Sequence, residues 1–324
     1  MIENMLQAKK DYSRFSLALL SIAGITALLQ MVLALIWKEF LVDTAMGQWE
    51  IMRWILTMGP MYLVAVPVSL RIMKKIPAEA LPPQKLGGIR FFVLMLIGMP
   101  IMYAGNLLGN FLSALLSGGT AENALLDYII GNPLYAFIFT VLLAPFLEEL
   151  IFRKQLIDRL GKYGEKTAVI FSAVTFGLFH MNLFQFFYAF GLGLIFAYVY
   201  TRTRRLRYPV FMHMIVNFMG SVIAPFLLSL LDFDAIAATE AGTATTAQIM
   251  QVLPAMLAYL AYFFLYMCAV IAGLVLLIIR WKKRQFCPAS HELPVGTAGK
   301  IVYWNPGMIC FMVFCLVSIV LALF

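Results

Sequence analysis

The sequence predicts an all-α protein, a polytopic membrane bundle of about nine transmembrane helices. Of its 324 residues, 63% are hydrophobic and only 12% are charged, and the mean hydropathy of +0.90 lies far from the values of soluble domains. Several apolar runs reach the roughly 20 residues that a helix needs to cross a bilayer. Because backbone groups in lipid must be hydrogen-bonded internally, these runs are expected to be helices.

Seven spans follow directly from uninterrupted apolar runs. They cover residues 15–37, 54–73, 91–116, 128–147, 209–231, 253–279 and 301–324. The first run is interpreted as a retained span, because it is too long for a signal-peptide core and lacks a small-residue cleavage site. Prolines inside these runs are expected to bend their helices. They are Pro60, Pro67, Pro100, Pro145 and Pro225.

The stretch 167–200 is too long for one span and short for two. Basic groups precede and follow it, and the positive-inside rule favours both groups on one side of the membrane. We therefore predict two short spans with a turn at Asn182, which makes nine in all. The flanking basic residues are Arg159, Lys162, Lys166, Arg202, Arg204, Arg205 and Arg207.

The remaining loops alternate in charge along the chain. Basic groups lie within 71–90 and 282–284, and acidic groups lie within 39–50, 122–127 and 232–240. This pattern predicts a cytoplasmic N-terminus and an external C-terminus in a bacterial plasma membrane. The net charge of +8 is thus interpreted as a topology signal, and no nucleic-acid partner is predicted. The four cysteines show no CxxC spacing, so a thiolate zinc site is not predicted either.

An acidic doublet, Glu148-Glu149, stands at the end of an apolar run and is followed by Arg153. A charged side chain at membrane depth costs at least ~2.5 kcal/mol, so it is by default a functional-site hypothesis. Residues four apart share a helix face, which predicts that Glu149 pairs with Arg153. Glu148 points about 100° away from its neighbour and is left to face a cavity.

Two later helices carry polar residues at the same spacing. Phe176 precedes His180 by one turn, and His213 precedes Asn217 by one turn. A desolvated carboxylate can act as a general base on water, and imidazole and amide groups can stabilise an oxyanion. Glu148, His180 and His213 could alternatively bind zinc, which lowers the pKa of bound water. The residues alone do not distinguish the general-base mechanism from the zinc mechanism.

Each of these features also has a structural explanation. The acidic doublet is compatible with a helix end near the headgroups, and His180 beside a turn with a structural histidine. His213 and Asn217 are compatible with hydrogen bonds between helices. Their joint occurrence favours a site. A common site also needs irregular backbone at 208–209 or a protruding basic loop, because His213 follows Arg207 by only six residues.

Taken together, the three motifs resemble those of the CPBP intramembrane proteases, also called Abi. The motifs are Glu148-Glu149-x-x-x-Arg153, Phe176-x-x-x-His180 and His213-x-x-x-Asn217. That family includes the type II CAAX prenyl endopeptidases and bacterial bacteriocin-processing or immunity proteins. The resemblance covers about residues 128–226. It implies a metallo- or glutamate-type endopeptidase that cleaves a membrane-associated peptide or protein, lipidated in some members.

The resemblance also implies roles for single residues. Glu148 would activate water with His180 as its partner, and His213 and Asn217 would stabilise the transition state or help to hold a metal. Glu149 and Arg153 would support the site. Because the family has been described both as metal-dependent and as metal-independent, a zinc ion on His180, His213 and Glu148 stays an open alternative.

These expectations divide the chain into three parts. Residues 1–126 form N-terminal transmembrane helices, 127–230 the catalytic core, and 231–324 C-terminal transmembrane helices. Two rival functions remain: a non-catalytic membrane scaffold or bacteriocin-immunity protein of the same fold, and a transporter. The lack of a visible internal repeat weakens the transporter hypothesis.

Overall fold

A computed structural model describes residues 1–79, 81–123, 129, 132–280 and 286–324. Within these ranges the chain forms eleven helices and no strand. The helices are α1 Ile2–Leu41, α2 Glu50–Met73, α3 Gly88–Ser117, α4 Pro133–Tyr163, α5 Glu165–Phe179, α6 Leu183–Thr203, α7 Arg207–Ser229, α8 Phe233–Glu240, α9 Thr246–Arg280, α10 Ala298–Tyr303 and α11 Pro306–Leu321.

Seven of these helices are long and apolar enough to cross a membrane, namely α1 to α4, α6, α7 and α9. The shorter helices α5 and α11 occupy the two other predicted spans. The prediction of an all-α bundle with about nine membrane helices is therefore confirmed, and the protein is a multi-pass integral membrane protein. Parts of two predicted features lie outside the described residues: the start of the fourth span near Tyr128, and the basic group Lys282, Lys283 and Arg284.

The predicted turn between the two short helices is confirmed. Met181 has a φ of +53°, a left-handed conformation that reverses the chain after α5. Asn182 then caps α6, because its side chain accepts a hydrogen bond of 2.9 Å from the backbone N–H of Gln185. His180 is thereby held at the deep end of this helical hairpin.

Several helices depart from α geometry, and three of the predicted prolines lie at those places. Pro60 begins a π-helical segment, while Pro145 and Pro225 each come two residues after one. A proline has no backbone N–H to donate to the carbonyl group one turn earlier, and the wider π-helical turn accommodates the missing hydrogen bond. Another π-helical segment, Leu150–Gln155, directly follows the acidic doublet.

Helix α6 lies at the centre of the bundle and packs against α3, α5 and α7. The contact with α3 is close enough to require glycine. A Cβ atom on Gly105 would lie 2.6 Å from the backbone of Tyr188, and one on Gly109 would lie 2.4 Å from the carbonyl oxygen of Leu183. Small residues allow membrane helices to approach in this way, and the approach fixes α6 beside the site.

The loops predicted to share one side of the membrane do meet on one face. The backbone N–H of Glu79 donates to Asp158 O at 2.7 Å, and that of Gln84 donates to Thr203 O at 2.8 Å. The N–H of His291 donates to Lys162 O at 2.8 Å. The loops after α2, α4, α6 and α9 thus form a single basic rim. That this rim and the N-terminus are cytoplasmic stays a prediction, as does the division into three parts.

Candidate active site

The acidic doublet lies on α4 between two π-helical segments. Glu149 and Arg153 are both fully buried, and Glu149 Oε2 lies 2.9 Å from Arg153 Nε. The predicted pair at four-residue spacing is confirmed. Arg153 Nη1 also donates to Ser172 Oγ at 3.2 Å, and its Cζ lies 4.4 Å from the ring centroid of Phe176. Pairing and hydrogen bonding are what allow two charges to be buried here.

His213 on α7 is held by the same carboxylate. Its Nδ1 lies 3.0 Å from Glu149 Oε1, and because Glu149 is ion-paired it acts as the acceptor, so Nδ1 carries a proton. The imidazole stacks on Phe196 with centroids 5.3 Å apart, and the edge contact with Phe176 is 5.8 Å. These contacts fix the ring with its second nitrogen, Nε2, directed to Glu148.

Glu148 is the loosely held carboxylate of the site. Its side chain is 17% exposed, and its Oε2 lies 3.8 Å from Nε2 of His213, which is longer than a hydrogen bond. No hydrogen bond joins this carboxylate to another side chain or backbone group in the described part of the chain. Adjacent glutamates therefore differ, as the sequence predicts: Glu149 is locked and Glu148 is available to a ligand.

His180 reaches the site from the turn between α5 and α6. Its Nδ1 lies 2.8 Å from the carbonyl oxygen of Phe176, an acceptor, so in the neutral ring Nε2 is unprotonated and free to accept. The imidazole also makes an edge contact with the Phe176 ring at 4.9 Å. Since His213 contacts that same ring, the Phe176 side chain contacts both histidines.

Asn217 lies one turn beyond His213 and donates through Nδ2 to the carbonyl oxygen of Thr140 at 2.8 Å. That carbonyl is free for a physical reason. In the π-helical segment Phe137–Leu143, each carbonyl oxygen accepts from the backbone N–H five residues later. For Thr140 that residue is Pro145, which has no N–H to donate. Asn217 satisfies the orphaned acceptor and keeps its other N–H for a ligand.

The sequence suggested that His213 lies too close to the basic loop to share a site with Glu148 unless the backbone at 208–209 is irregular. The structure has no such irregularity, because α7 is helical from Arg207 onward. Arg204 Nη1 lies 3.4 Å from Asp158 Oδ1, so the basic loop is level with this part of α4. About ten residues of chain separate that contact from Glu148 on one side and from His213 on the other.

Sequence reasoning did not identify Ser172 or Thr140 as parts of the site. Ser172 Oγ accepts from Arg153 and donates to Phe152 O at 2.7 Å, which links α4 to α5. Its position one turn before Phe176 and two turns before His180 was a usable signal, since all three share a helix face. Thr140 contributes only a carbonyl, and the signal for it was Pro145.

A zinc site requires at least three protein ligands around one point. Within the described ranges, no three His, Cys, Asp or Glu side chains are arranged to hold a metal ion. Of the three predicted ligands, Glu148 and His213 approach each other at 3.8 Å. These residues alone do not make a three-ligand set, and zinc binding stays a prediction.

Buried carboxylates, imidazoles and an amide at membrane depth indicate a functional site in a polytopic membrane protein. Comparison with known proteins gives the family. Residues 130–219, which include every predicted site residue, match the family model described as type II CAAX prenyl endopeptidase Rce1-like. The chain belongs to this Rce1-like family, which confirms the resemblance inferred from the motifs.

Two relatives have names of the same kind. The chain is 30% identical over 193 residues to YdiL of Bacillus subtilis (strain 168), named as a candidate membrane peptidase, covering 53% of this chain and 70% of that protein. It is 34% identical over 122 residues to the membrane-embedded CAAX protease MroQ of Staphylococcus aureus (strain USA300), covering 35% and 47%. No solved structure matches this chain.

Proposed function

We propose that this protein is an intramembrane endopeptidase that hydrolyses a peptide bond in a membrane-associated protein or peptide. The observation that carries the proposal is the contrast within the acidic doublet. Glu149 pairs with Arg153 and His213, whereas the Glu148 carboxylate faces His213 Nε2 across 3.8 Å. Membership in an endopeptidase family supports the reaction class.

In the proposed reaction, Glu148 takes a proton from a water molecule whose oxygen attacks the carbonyl carbon of the scissile bond. The free Nε2 of His180 accepts the second hydrogen bond of that water. The π electrons of the carbonyl move onto its oxygen, and His213 and Asn217 donate hydrogen bonds to the resulting oxyanion. The proton held by Glu148 then passes to the amide nitrogen as the C–N bond breaks, which releases a carboxylic acid and an amine.

Charge balance supports His213 as the donor to the oxyanion. With His213 protonated on both nitrogens, the side chains of Glu148, Glu149, Arg153 and His213 sum to zero charge. A neutral cluster is the arrangement that a bilayer interior tolerates best. Because Nδ1 already donates to Glu149, Nε2 is the nitrogen that would donate a hydrogen bond to the substrate oxygen.

The substrate is proposed to reach α4 through the lipid. Leu142, Leu143 and Phe146 lie within two turns of Glu148 and are 39%, 39% and 49% exposed, so they face the bilayer. Such a surface suits a substrate that is itself held in the membrane, including a lipidated one. The family description names a prenyl endopeptidase, so a prenylated peptide is the first probe, and a bacterial plasma membrane is the proposed location.

The test uses the purified protein in lipid vesicles with a farnesylated peptide ending in Cys-aliphatic-aliphatic-X, the same peptide without the lipid, and co-reconstituted bacterial membrane proteins. New peptide termini are measured by mass spectrometry. We expect cleavage by the wild type and a loss of about 10²- to 10⁴-fold in Glu148→Gln, because the general base is removed. The change retains the size of the side chain.

Two results would contradict the proposal: no wild-type-dependent termini with any of these substrates, or equal cleavage by Glu148→Gln. Either result would favour a scaffold, an immunity protein or a transporter. Metal analysis of the same preparation tests the zinc prediction, which requires about one zinc ion per chain and loss of activity on chelation.

A further inference from the structure

His180 lies at the deep end of the helical hairpin formed by α5 and α6, at a backbone position that needs support. Helix α5 ends at Phe179, and the chain then passes through Met181 at a φ of +53°. A left-handed conformation costs a residue other than glycine about 1–2 kcal/mol. This turn is also only half-buried, so packing encloses it only in part.

The Asn182 side chain secures the His180 backbone. Its Nδ2 atom donates a hydrogen bond of 2.7 Å to the carbonyl oxygen of His180, one of the acceptors that a helix end leaves without an intrahelical partner. Its Oδ1 atom accepts from the backbone N–H of Gln185 at 2.9 Å. Because a carbonyl group can only accept and a backbone N–H can only donate, these two partners fix the orientation of the amide.

The Gln185 side chain holds the same amide in place. Gln185 Oε1 accepts a second hydrogen bond from Asn182 Nδ2 at 2.8 Å, and Gln185 Nε2 donates to the Tyr188 hydroxyl at 3.0 Å. Gln185 occupies the third position of α6, from which a glutamine side chain can reach back to the cap residue. A chain of hydrogen bonds thus runs from Tyr188 through Gln185 and Asn182, and it ends at the backbone of His180.

The asparagine that caps α11 has no such third side chain. Asn305 accepts from the backbone N–H of Met308 at 2.9 Å and donates to two carbonyl oxygens of α10 at 3.1 and 2.7 Å. The third position of α11 is this methionine, whose side chain does not hold the amide. A helix cap therefore does not require the additional hydrogen bonds of Gln185. Those bonds are an addition at the half-buried turn, and the site residue that they support is His180.

We propose that Gln185 is a positioning residue for His180. By keeping the Asn182 amide on the His180 carbonyl, it holds the last turn of α5 together. The contact that depends on this turn is the one of 2.8 Å between His180 Nδ1 and the carbonyl oxygen of Phe176. That contact keeps the proton on Nδ1 and leaves Nε2 unprotonated. The inference rests on the proposed hydrolysis, in which Nε2 accepts a hydrogen bond from the attacking water.

The test compares Gln185→Leu with Gln185→Glu, and Gln30→Leu is the matched control. Leucine has a similar size but breaks the chain of hydrogen bonds. Glutamate can rebuild it in either protonation state, because one oxygen accepts from Asn182 and the other shares a hydrogen bond with the Tyr188 hydroxyl. Gln30 Nε2 donates to the carbonyl oxygen of Thr57 at 2.6 Å. Gln30→Leu thus also removes a half-buried glutamine hydrogen bond, but between α1 and α2, which carry none of the site residues.

Two quantities are measured for each protein in lipid: the tautomer of His180 and the kcat for whichever peptide the wild type cleaves. Solid-state nitrogen-15 NMR at alkaline pH, where free imidazole is neutral, reports the tautomers, and only three histidines contribute signals. The His180 signals are those missing from His180→Gln. In the wild type we expect the proton on Nδ1.

Gln185→Leu should show a mixture with the Nε2-protonated tautomer of His180. We expect its kcat to be about 10- to 100-fold lower than that of the wild type, because a small misplacement of a catalytic group has effects of this size. Gln185→Glu and Gln30→Leu should keep the wild-type tautomer and a kcat within about threefold of wild type. All kcat values are compared at a temperature at which the proteins remain folded.

The outcomes separate this inference from the proposed function. A change of tautomer in Gln185→Leu supports the positioning role even if no peptide is cleaved, and in that case only the endopeptidase proposal fails. An unchanged tautomer overturns the positioning role, whether or not peptides are cleaved. A changed tautomer with wild-type kcat, or an equal loss of kcat in Gln30→Leu, also overturns it. If Gln185→Leu does not fold, Tyr188→Phe replaces it, with a smaller change of tautomer expected and an unchanged tautomer again counting against the inference.

Discussion

Buried carboxylates occur in two regions of this protein, and the partners of their oxygen atoms differ between the regions. On the basic rim, the fully buried Asp11 accepts hydrogen bonds from the Tyr163 hydroxyl at 2.7 Å and from Gln7 Nε2 at 2.9 Å. Lys162 Nζ lies 3.4 Å from the same carboxylate. Both of its oxygens thus have partners, which come from two parts of the chain: Gln7 on α1, and the adjacent residues Lys162 and Tyr163.

Both carboxylate oxygens of Asp158 on the rim also have partners. The Tyr200 hydroxyl lies 3.0 Å and 3.1 Å from its two oxygens, and Lys154 and Arg204 pair with it at 3.1 Å and 3.4 Å. In the interior, Glu149 pairs with Arg153 and His213, whereas Glu148 has no partner at hydrogen-bond distance among the described residues. The comparison supports the proposed roles, in which the paired carboxylates hold helices and loops together and Glu148 acts in the reaction.

The largest expected effect on stability is in the interior. Replacing Arg153 by methionine leaves the fully buried Glu149 without its cation, and removing one partner of a buried pair costs about 3–5 kcal/mol. We therefore expect Arg153→Met to unfold at a much lower temperature in detergent. The control Arg90→Met, at an exposed position, should stay within about 0.5 kcal/mol of wild type. Equal stability of the two variants would show that Glu149 is not held by Arg153.

A smaller effect is expected on the rim. Asp11→Ala removes the acceptor of Tyr163 and Gln7, and hydrogen bonds to a charged group contribute about 1.5–3 kcal/mol each. Part of this loss is offset, because the substitution also removes the desolvation cost of a buried charge. Unfolding should therefore be easier by about 2–3 kcal/mol, while the cleavage rate of the folded protein stays unchanged. The matched control is Asp43→Ala in an exposed loop. A loss of kcat in Asp11→Ala, at a temperature where it remains folded, would contradict the separation of the two regions.

Local spacing in the sequence predicted much of this arrangement. The ion pair of Glu149 and Arg153 follows from positions four apart on one helix, and the turn at Asn182 follows from the length of the apolar stretch and its flanking charges. The basic rim was predicted because charge alternates along the chain. Each of these inferences uses residues close together in sequence or a rule about the bilayer.

The rest depends on contacts between distant helices. The hydrogen bond from Asn217 to Thr140 exists because a π-helical turn meets Pro145, and the width of that turn cannot be read from a proline alone. Asp11 meets Tyr163 across 152 residues of chain, with no periodic pattern to indicate it.

The measurement that tests the central claim most directly is a paired comparison of Glu148→Gln and Glu149→Gln in one preparation, scored for both unfolding and peptide cleavage. We predict that Glu148→Gln unfolds like the wild type but does not cleave. Glu149→Gln should lose about 3 kcal/mol or more of stability, because Arg153 is left buried without its counter-charge. Equal unfolding of the two variants, or wild-type cleavage by Glu148→Gln, would contradict the division of roles between these neighbouring carboxylates.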